Sequence, residues 1–475
     1  MTDAVVVGGG PNGLAAAIVL ARAGRSVRLL EARETIGGGC RSAELTLPGV
    51  THDVCSAIHP LGRSSPLFRE LGLERHGLEW IEPPIQLAHP LDDGSAALVH
   101  RDVDDTAASF ADARDARTYA RWMRPLSADW ELIVTSLLGP VRPGALARHP
   151  FALARFGLPS LLSAAMLARR FHSPAARALV AGVGAHSFLS LSAPLSGGVG
   201  LGLLVSAHAI GWPMPRGGSQ RIADALASVL RELGGEIETG VEVRDLRDLP
   251  PHRAALLDVT PRQLLAIAGD RLGGTYAAQL RRYRYGPAAF KLDLVLDGPI
   301  PWRNPEVGRA GTVHLGGRLE EVAASEKAVA QGRVHERPFV LLSQPSSFDP
   351  SRAPEGRHVV WAYCHVPNGW DGDATEAVLR QIERFAPGFR DRILAQHVLR
   401  PAELESYNPN YVGGDINGGL QHWAQFFTRP AVRIDPYSTP DPAIFICSAS
   451  TPPGGGVHGL CGLHAARSAL RGVLG

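Results

Sequence analysis

The chain has 475 residues, 48 basic and 46 acidic, for a formal net charge of +2, with 45% hydrophobic and 20% charged positions. That length exceeds what one simple core serves and predicts two interlocked domains. The composition excludes disorder, and the charge balance argues against a nucleic-acid partner read through charge alone. Five scattered cysteines (Cys40, Cys55, Cys364, Cys447 and Cys461) show neither a C-x-x-C pair nor zinc spacing. They read as reduced thiols in a cytoplasmic setting, with no metal site expected. The first strand starts almost at Met1, so no signal peptide is expected. No window has the apolar length of a membrane-spanning helix, which leaves a soluble protein or one in peripheral membrane contact.

In chain order, residues 4–31 read as one βαβ unit. An apolar run, Ala4-Val5-Val6-Val7, has the pattern of a buried parallel strand. A glycine turn and a helix over 14–23 follow, stopped by Gly24, and then a strand over 27–30 ending on Glu31. From about 65 to 200 the pattern is helical, over 104–138 and 145–171. The segment 152–171 is mostly apolar, with Arg155, Arg169 and Arg170 in it. It reads either as a cap helix over a substrate cavity or as an interfacial helix on a bilayer. Arg216-Gly217-Gly218-Ser219 then leads into a helix over 220–233 and a strand over 236–243. Strands are expected at 254–260, 290–296, 339–342, 358–363 and 443–447, the alternation at 290–296 implying one buried face. A closing helix covers 460–474. The expected division is a discontinuous dinucleotide-binding domain (1–75, 205–268 and 432–475), a helical cap or substrate region (76–204), and a substrate domain with a mostly antiparallel sheet (269–431).

Gly8-Gly9-Gly10-Pro11-Asn12-Gly13 fits G-x-G-x-x-G between a strand and a helix. Gly8 permits the tight turn, Gly10 lets a pyrophosphate approach backbone, and Gly13 allows close strand–helix packing. The helix start, with Pro11 and Asn12, supplies free N–H groups and positive dipole to phosphates. Glu31 ends the second strand, where a carboxylate accepts ribose hydroxyls and disfavours a 2′-phosphate; Arg33 lies two residues on. A second glycine loop, Thr35-Ile36-Gly37-Gly38-Gly39-Cys40-Arg41-Ser42, follows directly. It resembles the loop that completes the diphosphate site in flavoproteins of the glutathione-reductase and amine-oxidase type, implying FAD. Those proteins usually carry arginine right after the glycine pair; here Gly39 stands there and Arg41 two positions later. Near the other end, Cys447-Ser448-Ala449-Ser450-Thr451-Pro452-Pro453-Gly454-Gly455-Gly456-Val457-His458-Gly459 offers a backbone surface before a helix. Its Gly455, Gly456 and Val457 are expected against the flavin, whose N1–C2=O edge the helix start would face.

With these motifs on the page, the chain resembles the phytoene desaturase-like FAD-dependent oxidoreductases, and most closely their pyridine nucleotide-disulphide oxidoreductase domain-containing branch. The matching stretches are Met214-Pro215-Arg216-Gly217-Gly218-Ser219-Gln220, Arg384-Phe385-Ala386-Pro387-Gly388-Phe389, Asn408-Pro409-Asn410-Tyr411-Val412-Gly413-Gly414-Asp415-Ile416 and the C-terminal motif. The resemblance implies non-covalent FAD on a Rossmann-type α/β domain, interleaved with an α+β substrate domain, and hydride exchange with a lipophilic, polyene or isoprenoid-like substrate. It also implies a backbone contact to adenine near Val243. Such proteins usually carry a β-meander after that point, where this chain has only the short link 244–251.

Hydride transfer needs placement of a C–H bond and a route for the proton. His59, just downstream of the diphosphate loop with Asp53, Cys55 and Ser56, is the side-chain candidate for that relay. His186, His208 and His458 are weaker ones, and a structural histidine is the alternative for each. The run His422-Trp423-Ala424-Gln425-Phe426-Phe427 reads as cavity wall or core. The expected function is a desaturase or dehydrogenase reoxidised by oxygen or a quinone, since no second G-x-G-x-x-G appears that would house NAD(P)H permanently. A flavin-dependent isomerase or saturase, and a non-catalytic flavin-binding protein, are the alternatives.

Overall fold

The computed structural model describes residues 2–138 and 149–475. The first strand, Thr2–Val7, is buried from Ala4 on and sits at the centre of a five-stranded parallel sheet. His252–Leu257 and Ile444–Ile446 lie on one side of it, Val27–Leu30 and Glu236–Glu238 on the other. Pairing is parallel throughout, so each strand ends on the same edge, where α/β sheets place their ligands.

The helix Pro11–Arg22 begins with proline, whose missing N–H is no loss in a first turn. Its small residues, Ala15, Ala16 and Ala17, are fully buried. They let the C-terminal helix Leu460–Arg471 approach so closely that a Cβ on Gly462 would stand 1.8 Å from the Asn12 carbonyl oxygen. The two ends of the chain are therefore packed backbone against backbone.

A second sheet of seven strands runs Ile393–Leu399, Ala288–Leu296, His358–Val366, Val340–Ser343, Ala310–Leu315, Ile85–Pro90, Ala96–Val99. Every pairing is antiparallel except that of Ala310–Leu315 with Ile85–Pro90. Here the structure corrects the expectation of a helical region from residue 76. A short turn, Asp92-Asp93-Gly94, folds 85–99 into a hairpin on this sheet, and the helical layer begins only at Val103–Ser109. The single long helix expected over 104–138 is three, because Asp112 caps a new helix at Ala113–Ala128 and Trp130–Leu137 follows separately. Residues 145–148 of the next expected helix lie outside the described residues; the remainder is Pro150–Ser160 and Ala164–Ala168.

Two strand expectations also change. The strand at 236 stops at Glu238, and the link to His252 carries one short 3-10 turn, Leu246–Asp248, in place of a meander. Ala288–Leu296 is buried on both faces, since its polar side chains Lys291 and Asp293 are paired with each other below the sheet surface. The aromatic run at 422–427 is neither core nor cavity wall. It forms an exposed helix, Trp423–Thr428, with Trp423 57% and Phe427 63% exposed.

The halves are joined beneath the sheet edge by one buried cation. Arg352, fully buried, donates from Nη2 to Asp53 Oδ2 and from Nε to Asp349 Oδ2, both at 2.9 Å. Asp53 Oδ1 also accepts from Ser42 Oγ and the Ser219 N–H, each at 2.7 Å, and Asp349 Oδ2 from the Gly217 N–H at 2.7 Å. Burial alone would raise the Asp53 carboxyl, but the Arg352 charge and these donors hold it below the usual carboxylate range. Because its folded pKa lies below the unfolded one, the stabilisation is complete above about pH 4 and is lost as pH falls through the folded value. Asp53→Asn should lower unfolding free energy by about 3 kcal/mol at neutral pH and flatten the acid limb, as read by urea denaturation at several pH values.

Candidate functional site

At the carboxyl edge of the parallel sheet a cleft opens, lined by Gly8, Gly10, Pro11 and Asn12 from the first turn and Gly38, Gly39 and Arg41 from the second. The closing loop contributes Ser448, Ala449, Gly456 and Val457. Two motifs at opposite ends of the chain thus face one space. The glycines are needed there. Gly8 has φ +102°, and a Cβ on Gly38 would stand 3.0 Å from Gly10 Cα, in the gap between the two loops. Gly13 acts from behind, where a Cβ would meet the Gly8 carbonyl oxygen at 1.9 Å.

Glu31, buried at the end of its strand, is held rigidly. Its Oε2 accepts from the Gly9 N–H at 2.7 Å, and its Oε1 from the Arg33 N–H and Arg41 Nη2, each at 2.9 Å. A carboxylate has lone pairs beyond these three bonds, so ribose hydroxyls can still donate to it. Arg41 also donates to the Thr35 carbonyl at 2.9 Å through Nε, and lies over the Tyr407 ring. It is positioned by Glu31 while lining the cleft. Asn12 Oδ1 is buried with no partner, an acceptor waiting in the cleft wall. Paired glycine loops, an anchored carboxylate, an arginine beside it and an orphaned amide oxygen are together a fit for a dinucleotide.

Of the other expected residues, Arg33 lines the cleft, whereas Gly455 and Val243 do not. A Cβ on Gly455 would stand 2.9 Å from the Asn417 carbonyl oxygen, so that glycine serves loop-to-loop contact. Val243 packs in an apolar cluster with Val5, Val7 and Leu30, turned away from the cleft lining.

His59 lines the cleft and is held by Ser219. Ser219 Oγ donates to the Ser56 carbonyl at 2.7 Å, so it accepts from His59 Nε2–H at 2.8 Å and leaves Nδ1 as the basic nitrogen. Burial lowers this imidazole to about 4, Asp53 raising it in part, so the ring is neutral at physiological pH. His186 also lines the cleft, with Nε2 2.9 Å from His314 Nε2. His208 is structural, between the Tyr119 hydroxyl at 2.6 Å and the Arg101 carbonyl at 3.1 Å. His458 accepts from the Leu460 N–H at 3.0 Å and so caps the closing helix.

Sequence reasoning missed the opposite wall. Trp361 and Tyr363 from one strand, Leu341 from its neighbour, and Trp212 and Leu203 from the helical layer give the cleft an apolar, aromatic end. Both indole N–H groups are satisfied behind that wall, Trp361 by the Cys55 carbonyl at 3.1 Å and Trp212 by Thr312 Oγ1 at 2.8 Å. Also missed was Asp258, at the end of the third βαβ strand. Its Oδ2 accepts from the Gly13 N–H at 3.0 Å, and it stands 3.0 Å from where a Cβ on Gly10 would be. Burial, with Glu31 nearby, pushes its carboxyl up to about 7 against the Gly13 bond. Ionisation of Asp258 places a negative charge beside the glycine turn. FAD affinity should therefore weaken as pH rises through about 7, and Asp258→Asn should remove that dependence, as measured by flavin fluorescence titration.

Three comparisons agree with this geometry. Residues 6–71 match the family model described as an NAD(P)-binding Rossmann-like domain. The chain is 26% identical to pyridine nucleotide-disulfide oxidoreductase domain-containing protein 2 of Rattus norvegicus, over 99% of this chain and 93% of that protein. It is also 26% identical to the phytoene dehydrogenase of Streptomyces griseus, over 82% of this chain and 77% of the relative. In fold it is similar to an oxidoreductase from Methanosarcina mazei, with a TM-score of 0.65 at 17% identity over 99% of this chain and 100% of that one. The resemblance read from the motifs is borne out across the length of the chain.

Proposed function

We propose that this chain, a phytoene desaturase-like FAD-dependent oxidoreductase, removes hydride from a lipophilic substrate of polyene or isoprenoid type. The observation that carries the reading is the composition of one cleft. Its dinucleotide end is built from glycine loops, Glu31 and Arg41; its other wall is Leu203, Trp212, Leu341, Trp361 and Tyr363. In this reading residues 1–75, 205–268 and 432–475 hold the cofactor, while 76–204 and 269–431 shape the substrate end. Gly8, Gly10, Pro11, Asn12, Gly38, Gly39 and Arg41 hold the diphosphate, Glu31 the ribose, and Gly456 and Val457 the ring. FAD bound there supplies a two-electron acceptor that takes up a hydride.

The aromatic wall would exclude water and hold the alkyl chain of the substrate in one orientation. Loss of hydride from one carbon and a proton from its neighbour leaves a double bond. His59 Nδ1 takes that proton, since its Nε2–H is committed to Ser219. Oxygen or a quinone then serves as the terminal acceptor.

Anaerobic mixing of the FAD-loaded protein with a panel of polyenes and isoprenoids should bleach the flavin absorbance with at least one of them. Failure to gain flavin absorbance on addition of FAD would sink the proposal. His59→Gln should retain FAD and slow bleaching by a factor of about 10² to 10⁴, and in the parent the rate should fall as pH drops through about 4.

A lipophilic substrate is delivered most directly from a bilayer, and one surface suits this. Between Glu131 and Asp224 the sequence has eight arginines and no acidic residue. There Phe151 is 84% and Leu158 67% exposed on one face of Pro150–Ser160, with Leu161, Met166, Arg169 and Arg170 also exposed. Apolar side chains beside Arg169 and Arg170, which have no carboxylate partner among the described residues, fit the surface of an anionic bilayer in the cytoplasm. Among the described residues no helix is long and apolar enough to cross a membrane. The protein should co-sediment with phosphatidylglycerol-containing vesicles and not with phosphatidylcholine alone. The double variant Phe151→Asp, Leu158→Asp should bind at least about tenfold more weakly, with FAD affinity unchanged.

A further inference from the structure

Four cationic side chains are buried among the described residues: Arg41, Lys291, Arg352 and Arg429. Three of them have a carboxylate at hand. Arg41 is 2.9 Å from Glu31, Lys291 is paired with Asp293, and Arg352 lies between Asp53 and Asp349. Arg429 has none. It is 2% exposed, and its Nε and Nη2 are buried without a hydrogen-bond partner. Among the described residues its one hydrogen bond runs from Nη1 to the Ala449 carbonyl oxygen at 3.3 Å, and the Phe426 ring centroid is 5.9 Å away. The buried acid that feels its charge, Asp415, is committed elsewhere, accepting from the Gly286 N–H at 2.7 Å and the Asn417 N–H at 2.8 Å. A buried charge without a counter-charge is among the most expensive arrangements a fold can hold.

The place of Arg429 gives the reason to keep it. Ala449 belongs to the closing loop and lines the cleft. A Cβ added to Gly454 of the same loop would stand 2.8 Å from Arg429 Nη1. The guanidinium is therefore pressed against the back of the wall whose front carries Ser448, Ala449, Gly456 and Val457. A cation fixed there, in a water-poor setting, acts through the loop on whatever charge develops in front of it.

We propose that Arg429 is a positioning residue whose unpaired charge is the counter-ion for the negative charge the isoalloxazine carries after accepting a hydride, so that Arg429 raises the reduction potential of the bound cofactor. The inference rests on the reading that FAD occupies the cleft with its ring against this loop. In the oxidised state the ring is neutral and the cation unopposed; two electrons and one proton entering the ring add one net negative charge. The folded protein then has a built-in bias toward accepting hydride from a substrate with weakly activated C–H bonds. An alternative use, holding the FAD diphosphate, would strengthen binding of both redox states alike and leave the potential unchanged.

The test needs no substrate. FAD-loaded parent, Arg429→Gln and Arg429→Lys are reduced anaerobically with xanthine and xanthine oxidase against a reference dye. Gln keeps a donor for the Ala449 carbonyl and loses the charge; Lys keeps the charge. We expect Arg429→Gln to shift the oxidised-to-reduced ratio at least about tenfold toward oxidised, about 30 mV for a two-electron couple, with Arg429→Lys staying near the parent. An unchanged potential in Arg429→Gln overturns the inference, as does a Lys variant that falls as far as Gln. If Arg429→Gln does not fold, the parent decides. Uptake of one proton per two electrons across neutral pH supports a stabilised anion, and uptake of two overturns it. No FAD uptake by the parent would overturn the flavoprotein reading as well, whereas FAD uptake with an unchanged potential overturns this inference alone.

Discussion

Arg352 has no contact with solvent, and three separate parts of the chain are arranged around it. Asp53 reaches it from the strand after the second glycine loop, Asp349 from the start of its own short turn between two strands of the large sheet, and both aspartates bind backbone N–H groups of the Gly217–Ser219 turn. A guanidinium in a low-dielectric setting tolerates little departure from its acceptors, so this node sets the spacing between the two sheets. His59 inherits its position from it. Ser219, which holds the imidazole, is fixed by Asp53 through its own N–H. The electrostatics of the cleft floor and the geometry of the candidate base therefore have one origin.

The same logic separates what was legible in the sequence from what was not. The first βαβ unit, its glycine turn and Glu31 could be read because they are local: period, turn chemistry and spacing all lie within about thirty residues. The closing loop was legible for a similar reason, since consecutive prolines and glycines before a helix have few structural uses. Asp258, Trp361 and Tyr363 were not. Each is an ordinary strand residue until the sheet brings it to the cleft, and no neighbour in sequence marks it. Arg352 and Arg429 are a sharper case. Arginine is usually a surface residue, and only the tertiary fold shows that one is tied to two carboxylates while the other has none.

Where the reading failed, a tertiary constraint overrode a local pattern. The alternation at 290–296 implied one buried face, yet Ala288–Leu296 is buried on both, with Lys291 and Asp293 compensating each other inside. The run at 422–427 suggested an interior position by hydrophobicity, yet it lies on the surface. The backbone contact to adenine that the resemblance implies near Val243 stays an expectation; the side chain itself packs with Val5, Val7 and Leu30. The short link after Glu238 leaves Glu31 and Arg33 as the polar features at that end of the cleft.

The contact between Asn12 and Gly462 has a consequence for how the molecule is made. The helix that begins at Pro11 carries a face of alanines whose partner lies several hundred residues downstream. Until residues 444–471 are in place, the strand His252–Leu257 lacks its outer neighbour Ile444–Ile446, and the first helix lacks its cover. While that pairing is unmade, the exposed apolar surface is of the kind that promotes association between partly folded chains. The cleft therefore takes its shape only when the loop carrying Ser448, Ala449, Gly456 and Val457 has joined the first two glycine loops.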